Sequence, residues 1–337
     1  NKYSLFTTKR TKIYAPENLS IITPSSFIDR KISSYWRTYN LTRDLIKNDI
    51  KIYHGLSHEL PVGIEKTKIA CVVTIHDLIF LRYPDTYSSI DRKIYIQKIK
   101  RSCNVAHKII AISEQTKQDI IEFLNIPESK IDVVYQNCDN AFKTLLSADE
   151  RKKVMLRYKL PSRYILSIGT VEERKNILTS IKAFKKLKDN NISFVIIGRQ
   201  KKKYMDLIKQ EIDSSIDSRV YFYENINFKD FPAIYQSAEL LLYPSLFEGF
   251  GIPIIEALYS KIPVITSKYG CFPEVGGNNS VYVDPLNIDE IRNAIHGFLI
   301  DNKLKNETSE KGYNFVQQFN NKSMANQLQK IYESVGN

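Results

Sequence analysis

Glu248-Gly249-Phe250-Gly251-Ile252-Pro253-Ile254-Ile255-Glu256 decides how the rest of this chain is read. Two carboxylates stand eight positions apart, with two glycines just after the first. The run before it, Glu239-Leu240-Leu241-Leu242-Tyr243-Pro244-Ser245, is apolar without alternation and predicts a buried strand. Residues 252–260 predict a helix, with Pro253 in the first turn, where its missing N–H costs nothing. Strand, glycine turn and helix start together offer an anion unpaired backbone N–H groups and the positive end of a helix dipole. Were the whole stretch helical, Glu248 and Glu256 would be separated by a rise of roughly 12 Å. One carboxylate would then touch each end of a ligand that carries a diphosphate between a sugar and a ribose.

Outward from this stretch the chain alternates strands with helices, which predicts parallel α/β sheets. In the first half, Ile69-Ala70-Cys71-Val72-Val73-Thr74-Ile75 reads as a strand buried on both faces, followed by strands over 108–112 and 130–135. Ser113 is placed to cap a helix over 114–124. Periodicity lapses over 139–147, where the linker is expected. Beyond it come strands over 164–168, 192–197, 219–223, 263–267 and 280–283, with helices over 177–187 and 231–238. Two helices, over 288–300 and 323–334, are expected to close the chain. The reading is two doubly wound domains facing a cleft, with ligands at the carboxyl ends of the strands. The opening run Lys2-Tyr3-Ser4-Leu5-Phe6-Thr7 reads as a strand already under way, so an N-terminal piece is expected ahead of Asn1.

Composition narrows the classes. With 337 residues, two domains of ordinary size are expected, and 43% hydrophobic with 26% charged residues is globular. Cys71, Cys103, Cys138 and Cys271 are scattered, form no CxxC pair and read as reduced thiols. No run approaches the roughly 18 apolar residues of a membrane span. Net charge is +12, which fits nucleic acid, an anionic membrane or phosphorylated substrates. No nucleic-acid-binding module is recognisable. Lys185-Lys186 and Lys201-Lys202-Lys203 read as solvated faces.

Several residues could carry chemistry. Gly169-Thr170-Val171-Glu172-Glu173-Arg174-Lys175-Asn176 follows the first strand of the second half, where Arg174 and Lys175 could bind a diphosphate; a solvated loop with an Asn cap is the plainer reading. His76 ends the strand over 69–75 and is expected to face the cleft. His54 and His58 are weaker candidates, expected in a loop. No metal-ligand set, P-loop or dinucleotide fingerprint is present.

The motif Glu248-Gly249-Phe250-Gly251 through Glu256 resembles the Glu-x7-Glu signature of retaining glycosyltransferases with the GT-B fold. The loop Gly169-Thr170 through Asn176 is similar to the phosphate loop of family 4 glycosyltransferases. Val73-Thr74-Ile75-His76-Asp77-Leu78, Ile110-Ala111-Ile112-Ser113-Glu114, Val134-Tyr135-Gln136-Asn137-Cys138-Asp139, Phe272-Pro273-Glu274-Val275 and Tyr282-Val283-Asp284-Pro285 continue the likeness in order. The resemblance implies a GT-B fold of two Rossmann-like domains: residues 1–143 on the acceptor side, residues 144–318 binding the nucleotide sugar, and a final helix in 319–337 crossing back to the first domain. It implies that Glu256 holds the ribose hydroxyls, Glu248 contacts the donor sugar, and Arg174 and Lys175 neutralise the leaving diphosphate. Gly169 and Thr170 would line the phosphates. Backbone N–H groups of Gly249, Phe250, Gly251 and Ile252 would grip sugar hydroxyls and phosphate. His76 would sit beside the transferred sugar.

The implied reaction is retaining transfer of a hexose, with GDP-mannose the favoured donor, without metal or other cofactor. The implied partners are a nucleoside diphosphate sugar, a lipid-linked oligosaccharide or glycan acceptor, and an anionic membrane surface, with no nucleic acid. The expected location is cytoplasmic and peripheral, at the inner face of a bacterial cell membrane. A sugar-nucleotide epimerase, a phosphorylase and a non-catalytic sugar-nucleotide-binding scaffold are the alternatives. Two departures stand out: Gly169-Thr170 replaces the Gly-Arg of many relatives, and Asn137-Cys138-Asp139 replaces Asn-Gly-Val-Asp. The glycine loop after the first strand of relatives is not visible, and it is expected to lie in the missing N-terminal piece.

Overall fold

A computed structural model describes residues 2–8, 17–84, 88–212 and 216–336. Asn1 lies outside the described residues. Among the described residues, three parallel sheets organise the chain. A two-stranded one pairs β1 (Tyr3–Phe6) with β2 (Leu19–Ile22). A four-stranded one runs in the order β3 (Ile52–Gly55), β4 (Ala70–Ile75), β5 (Lys108–Ala111), β6 (Ile131–Val133).

The six-stranded sheet is built from β7 (Tyr164–Ile168), β8 (Ser193–Ile197), β9 (Val220–Tyr223), β10 (Leu240–Tyr243), β11 (Val264–Ser267) and β12 (Val281–Val283). Its order is β12-β11-β10-β7-β8-β9. The chain winds outward one way from β7 and then the other way from β10. The crevice of such a sheet opens where that direction reverses, outside the carboxyl ends of β7 and β10. Those two ends launch the Gly169 loop and the Glu248 segment.

The parity of the strands explains why the apolar runs do not alternate. Tyr164, Leu166, Leu241 and Tyr243 pack into one core, while Ile165, Leu240 and Leu242 pack into another on the opposite face. The four-stranded sheet is likewise covered twice. Cys71, Val73, Ile75, Ile109 and Ala111 point to one core. Val72, Ile110 and Val134 meet the last helix, Asn321–Gly336, through Ile331, Leu328 and Tyr332. That helix therefore serves as the second layer of the first sheet, and two Rossmann-like units with a GT-B arrangement result.

Among the described residues, four helices of ten residues or more are absent from the sequence reading. Ser89–Val105, Ala148–Tyr158 and Asn302–Val316 carry little apolar periodicity, whereas Lys202–Glu211 turns Tyr204, Met205 and Ile208 to one buried face that the sequence reading passes over. Ala148–Tyr158 buries Val154 as its one fully covered side chain, and its start is set by a capping box between Ser147 and Glu150. Asn302–Val316 turns Ser309, Gly312 and Val316 inward, and a Cβ on Gly312 would stand 2.7 Å from Leu258 Cδ2. Small residues in close contact leave no hydrophobic stripe to read. Three helices thus close the chain, not two. His54 also moves, from an expected loop onto β3 itself.

Candidate active site

The loop after β7 is held in shape by one buried side chain. Asn176 adopts the left-handed conformation at φ 58° and donates its amide to Pro244 O at 3.0 Å and to Pro285 O at 2.6 Å. It ties the Gly169 loop to the segments that follow β10 and β12. The Leu246 N–H donates to Arg174 O, which locks the same two loops again.

This bracing brings charges together. Lys175 Nζ lies 2.5 Å from Glu248 Oε1, and Arg174 Nη1 lies 2.7 Å from Glu248 Oε2. Arg174 also donates to Phe247 O and to Glu172 Oε1, and Lys201 reaches Glu172 from the outside. Lys175 donates further to the Tyr243 hydroxyl at 2.7 Å, and its ring lies beneath the ammonium. The bonded set holds Arg174, Lys175 and Lys201 against Glu172 and Glu248, one cation in excess. Burial pushes the Glu248 carboxyl up, but Lys175 and Arg174 outweigh it and hold the group below the usual range. Burial pulls the Lys175 ammonium down, Glu248 opposes this and Arg174 adds to it; the net direction is down.

Glu248 precedes the helix, which runs Ile252–Tyr259. The helical rise expected between the two glutamates therefore does not hold; the first four positions are loop. Gly251, at φ 118°, is the residue before the helix and leaves its start without a side-chain cap. Glu256 sits a turn into the helix and accepts from the Tyr235 hydroxyl at 2.6 Å. Burial pushes its carboxyl up to about 7, the Tyr235 bond works against that, and Asp139 adds to it. Among the described residues no cation is bonded to it. Buried Tyr235 bonds Glu256 and buried Tyr243 bonds Lys175, so a tyrosine hydroxyl backs each end of the segment.

Gly249 is one of the points where the two domains touch. A Cβ there would fall 2.1 Å from His76 O, so only glycine permits the approach. Ser113 Oγ accepts from the Thr116 N–H as a helix cap and donates to Gly249 O at 2.7 Å, so it caps and bridges at once. Glu274 accepts from the Glu114 and Gln115 N–H groups at the start of the same helix. Phe250 stacks on Tyr135 at 5.8 Å. The His76 ring places Nε2 2.8 Å from Leu56 O, leaves Nδ1 to Gln136 Nε2 at 3.3 Å, and packs on His58.

The structure thus gathers Gly169, Arg174, Lys175 and Glu248 into one cluster, and Gly249 with His76 into an adjoining contact. The Lys175 side chain lies over Gly169, and Gly169 with Thr170 is pressed against Gly198. Glu256 shares no bond with the cluster among the described residues and is held by Tyr235 instead. Sequence reading missed Glu172, Tyr235, Tyr243, Gln136 and Glu274. The tyrosines hid inside an apolar strand and a short helix, and the others had no spacing signal. Two cavities, about 430 Å³ beside Thr23 and Arg30 and about 350 Å³ beside Tyr135 and Glu274, are not lined by the charge cluster. The site is placed on the cluster, because buried opposite charges at the sheet's switch point need a chemical reason and an open surface hollow does not.

Residues 3–139 match the Glycosyltransferase Family 4 model, and residues 149–315 match that of the Glycosyl transferases group 1. The chain belongs to the family 4 glycosyltransferases. This glycosyltransferase is 28% identical over 287 residues to O-antigen chain mannosyltransferase B of Escherichia coli, covering 84% of the chain and 74% of that relative. It is 29% identical over 279 residues to O-antigen chain mannosyltransferase RfbU of Salmonella typhimurium, covering 79% and 72%. Its fold matches the glycosyltransferase from Rickettsia africae with a TM-score of 0.74 at 20% identity, over 95% of this chain and 86% of the other. It also matches Anabaena Alr3699/HepE, solved with UDP and glucose, with a TM-score of 0.72 at 16% identity, over 94% and 86%. The GT-B expectation holds. Enzymes of this kind act on nucleotide-sugar donors and glycan acceptors.

Proposed function

We propose that this glycosyltransferase moves mannose from GDP-mannose to a lipid-linked oligosaccharide acceptor, with retention of configuration and without a metal ion. The observation that carries the reading is the cluster at the ends of β7 and β10, where largely buried Arg174 and Lys175 face Glu172 and Glu248 and half-exposed Lys201 adds a third cation. Cleaving the donor bond places extra negative charge on the departing diphosphate. Arg174, Lys175 and the uncapped helix start at Gly251 are fixed in advance where that charge develops, the arrangement that costs no reorganisation in the transition state. They do the work a divalent cation does elsewhere. Glu248 keeps both cations oriented and contacts the sugar, while Glu256 accepts from the ribose hydroxyls. His76, Gly169, Thr170, Gly249, Phe250 and Ile252 complete the contacts to sugar and phosphate. Mannose is favoured by the two O-antigen mannosyltransferase relatives. The O-antigen names of those relatives support a glycan acceptor, and the +12 charge supports a place at the anionic inner face of the cell membrane.

A thermal-shift screen of common nucleotide sugars tests the donor, because a ligand that prefers the folded state raises its stability. GDP-mannose is expected to give the largest shift, with or without a chelator. A larger shift with a uridine donor would displace this reading, and a shift that a chelator abolishes would remove the metal-free mechanism.

A further inference from the structure

We propose that the helical stretch 25–48 of the first domain is the face that seats this enzyme on an anionic lipid bilayer. The proposal rests on the membrane-borne acceptor of the preceding section for its purpose, and on the surface itself for its chemistry. The stretch is three short helical pieces in succession, Phe27–Lys31, Ser33–Tyr35 and Leu41–Lys47, with a wider turn over Trp36–Asn40. Trp36, Leu41 and Leu45 face inward and are buried. On the other side Phe27, Ile28, Ile32, Tyr35 and Tyr39 are 45–71% exposed. Ile28 and Ile32 stand at the end of the first piece, joined by the Ile32 N–H to Ile28 O bond, and the Tyr35 and Tyr39 rings lie 5.1 Å apart.

Charge is sorted across the same stretch. Arg30, Lys31, Arg37, Arg43 and Lys47 are exposed. Both of its acids point inward. Asp29 is buried, accepting from Asn40 Nδ2 at 2.7 Å with Arg43 beside it, and Asp44 accepts from the Trp36 indole N–H at 2.8 Å. Among the described residues 25–48, every exposed charge is therefore positive. A solvated surface helix would interleave both signs. Large apolar and tyrosyl side chains set among cations match the polar–apolar boundary of an acidic leaflet.

The face is also wired to the candidate site. The Val62 N–H donates to Thr38 O, and Val62 O accepts from Thr42 Oγ1. Six residues earlier in the same loop, Leu56 O accepts from the His76 ring. An acceptor whose lipid stays in the bilayer would thus reach the edge of the cleft over a single short loop.

Vesicle flotation of the full chain tests this, using phosphatidylcholine vesicles with and without phosphatidylglycerol. The unaltered protein is expected to float with the anionic vesicles at low salt and to lose this at high salt. The Ile28→Ser/Ile32→Ser/Tyr35→Ser variant should bind at least tenfold less. Lys31→Gln/Arg37→Gln should lose the anionic preference, while Lys202→Gln/Lys203→Gln, with equal charge loss in the second domain, should keep it. No flotation of the unaltered chain at low salt, or equal losses in both charge variants, overturns the proposal. So does a dimer in sedimentation that the Ile28→Ser/Ile32→Ser/Tyr35→Ser variant dissolves without vesicle binding, since a second copy would then own the face. Donor hydrolysis in the same samples should be unchanged by all three variants. Its absence from the unaltered chain counts against the transfer reading alone.

Discussion

Glu248 and Glu256 close the two ends of one nine-residue segment, and both are largely withdrawn from water, yet their surroundings are opposite. Glu248 is clasped by Lys175 and Arg174 and held ionised. Glu256 has a tyrosine hydroxyl, no bonded cation among the described residues, and a carboxyl pushed up to about 7 by burial. A buried charge with partners stays charged; one without them gives up the cost by taking a proton. One end of the segment is thus a permanent charge template. The other is poised to titrate where a ribose would be read.

The sharpest way to break this contrast is to strip the charged end. Lys175→Ala removes one preorganised cation and leaves Glu248 with Arg174 alone. Turnover should fall about a hundredfold or more, near the ~3 kcal/mol that a lost transition-state donor costs. Steady-state kinetics with donor and acceptor would read it, and unchanged turnover would remove the phosphate role. The titrating end should respond to pH instead. Burial raises the Glu256 carboxyl from the ordinary 4.5 to about 7, so the carboxylate proposed to accept from the ribose would be scarce below that pH and abundant above it. Affinity for GDP should therefore rise about tenfold from pH 6 to 8, the change in ionised fraction across such a group. Glu256→Gln should flatten that rise. A smaller effect is expected from Tyr235→Phe. The Tyr235 hydroxyl is the one contact that lowers the Glu256 titration, so its loss should move the rise in affinity to higher pH, at a cost of about 1 kcal/mol. A midpoint that stays in place would mean that burial alone sets the group.

The same contrast explains what the sequence could carry. The β10 strand, the glycine turn and the helix start are local, and their residues announce them: an unbroken Leu run, two glycines, a proline in the first turn. So do Ser113 as a cap and the two-sided apolar strands. Partnership is not local. Arg174 and Lys175 read as cations open to a ligand, and only the placement of β7 beside β10 shows that Glu248 already engages both. Tyr243 lay inside an apolar run whose core parity does not reveal its hydroxyl's role. The rise assigned between the two glutamates failed because Gly251 starts the helix late. Gly249 looked like turn punctuation, whereas its lack of a side chain is what lets the domains meet at His76. The helix Asn302–Val316 was missed because close packing on Gly312 uses small residues in place of an apolar stripe.

The central claim is that the cluster at Lys175 recognises a diphosphate and the Glu256 end recognises the rest of the nucleotide. Calorimetry with GDP and GMP on the unaltered protein, Lys175→Ala and Glu256→Ala separates the two. Lys175→Ala should erase most of the preference for GDP over GMP, while Glu256→Ala should weaken both nucleotides alike and keep that preference. A GDP preference that survives intact in Lys175→Ala would contradict the account.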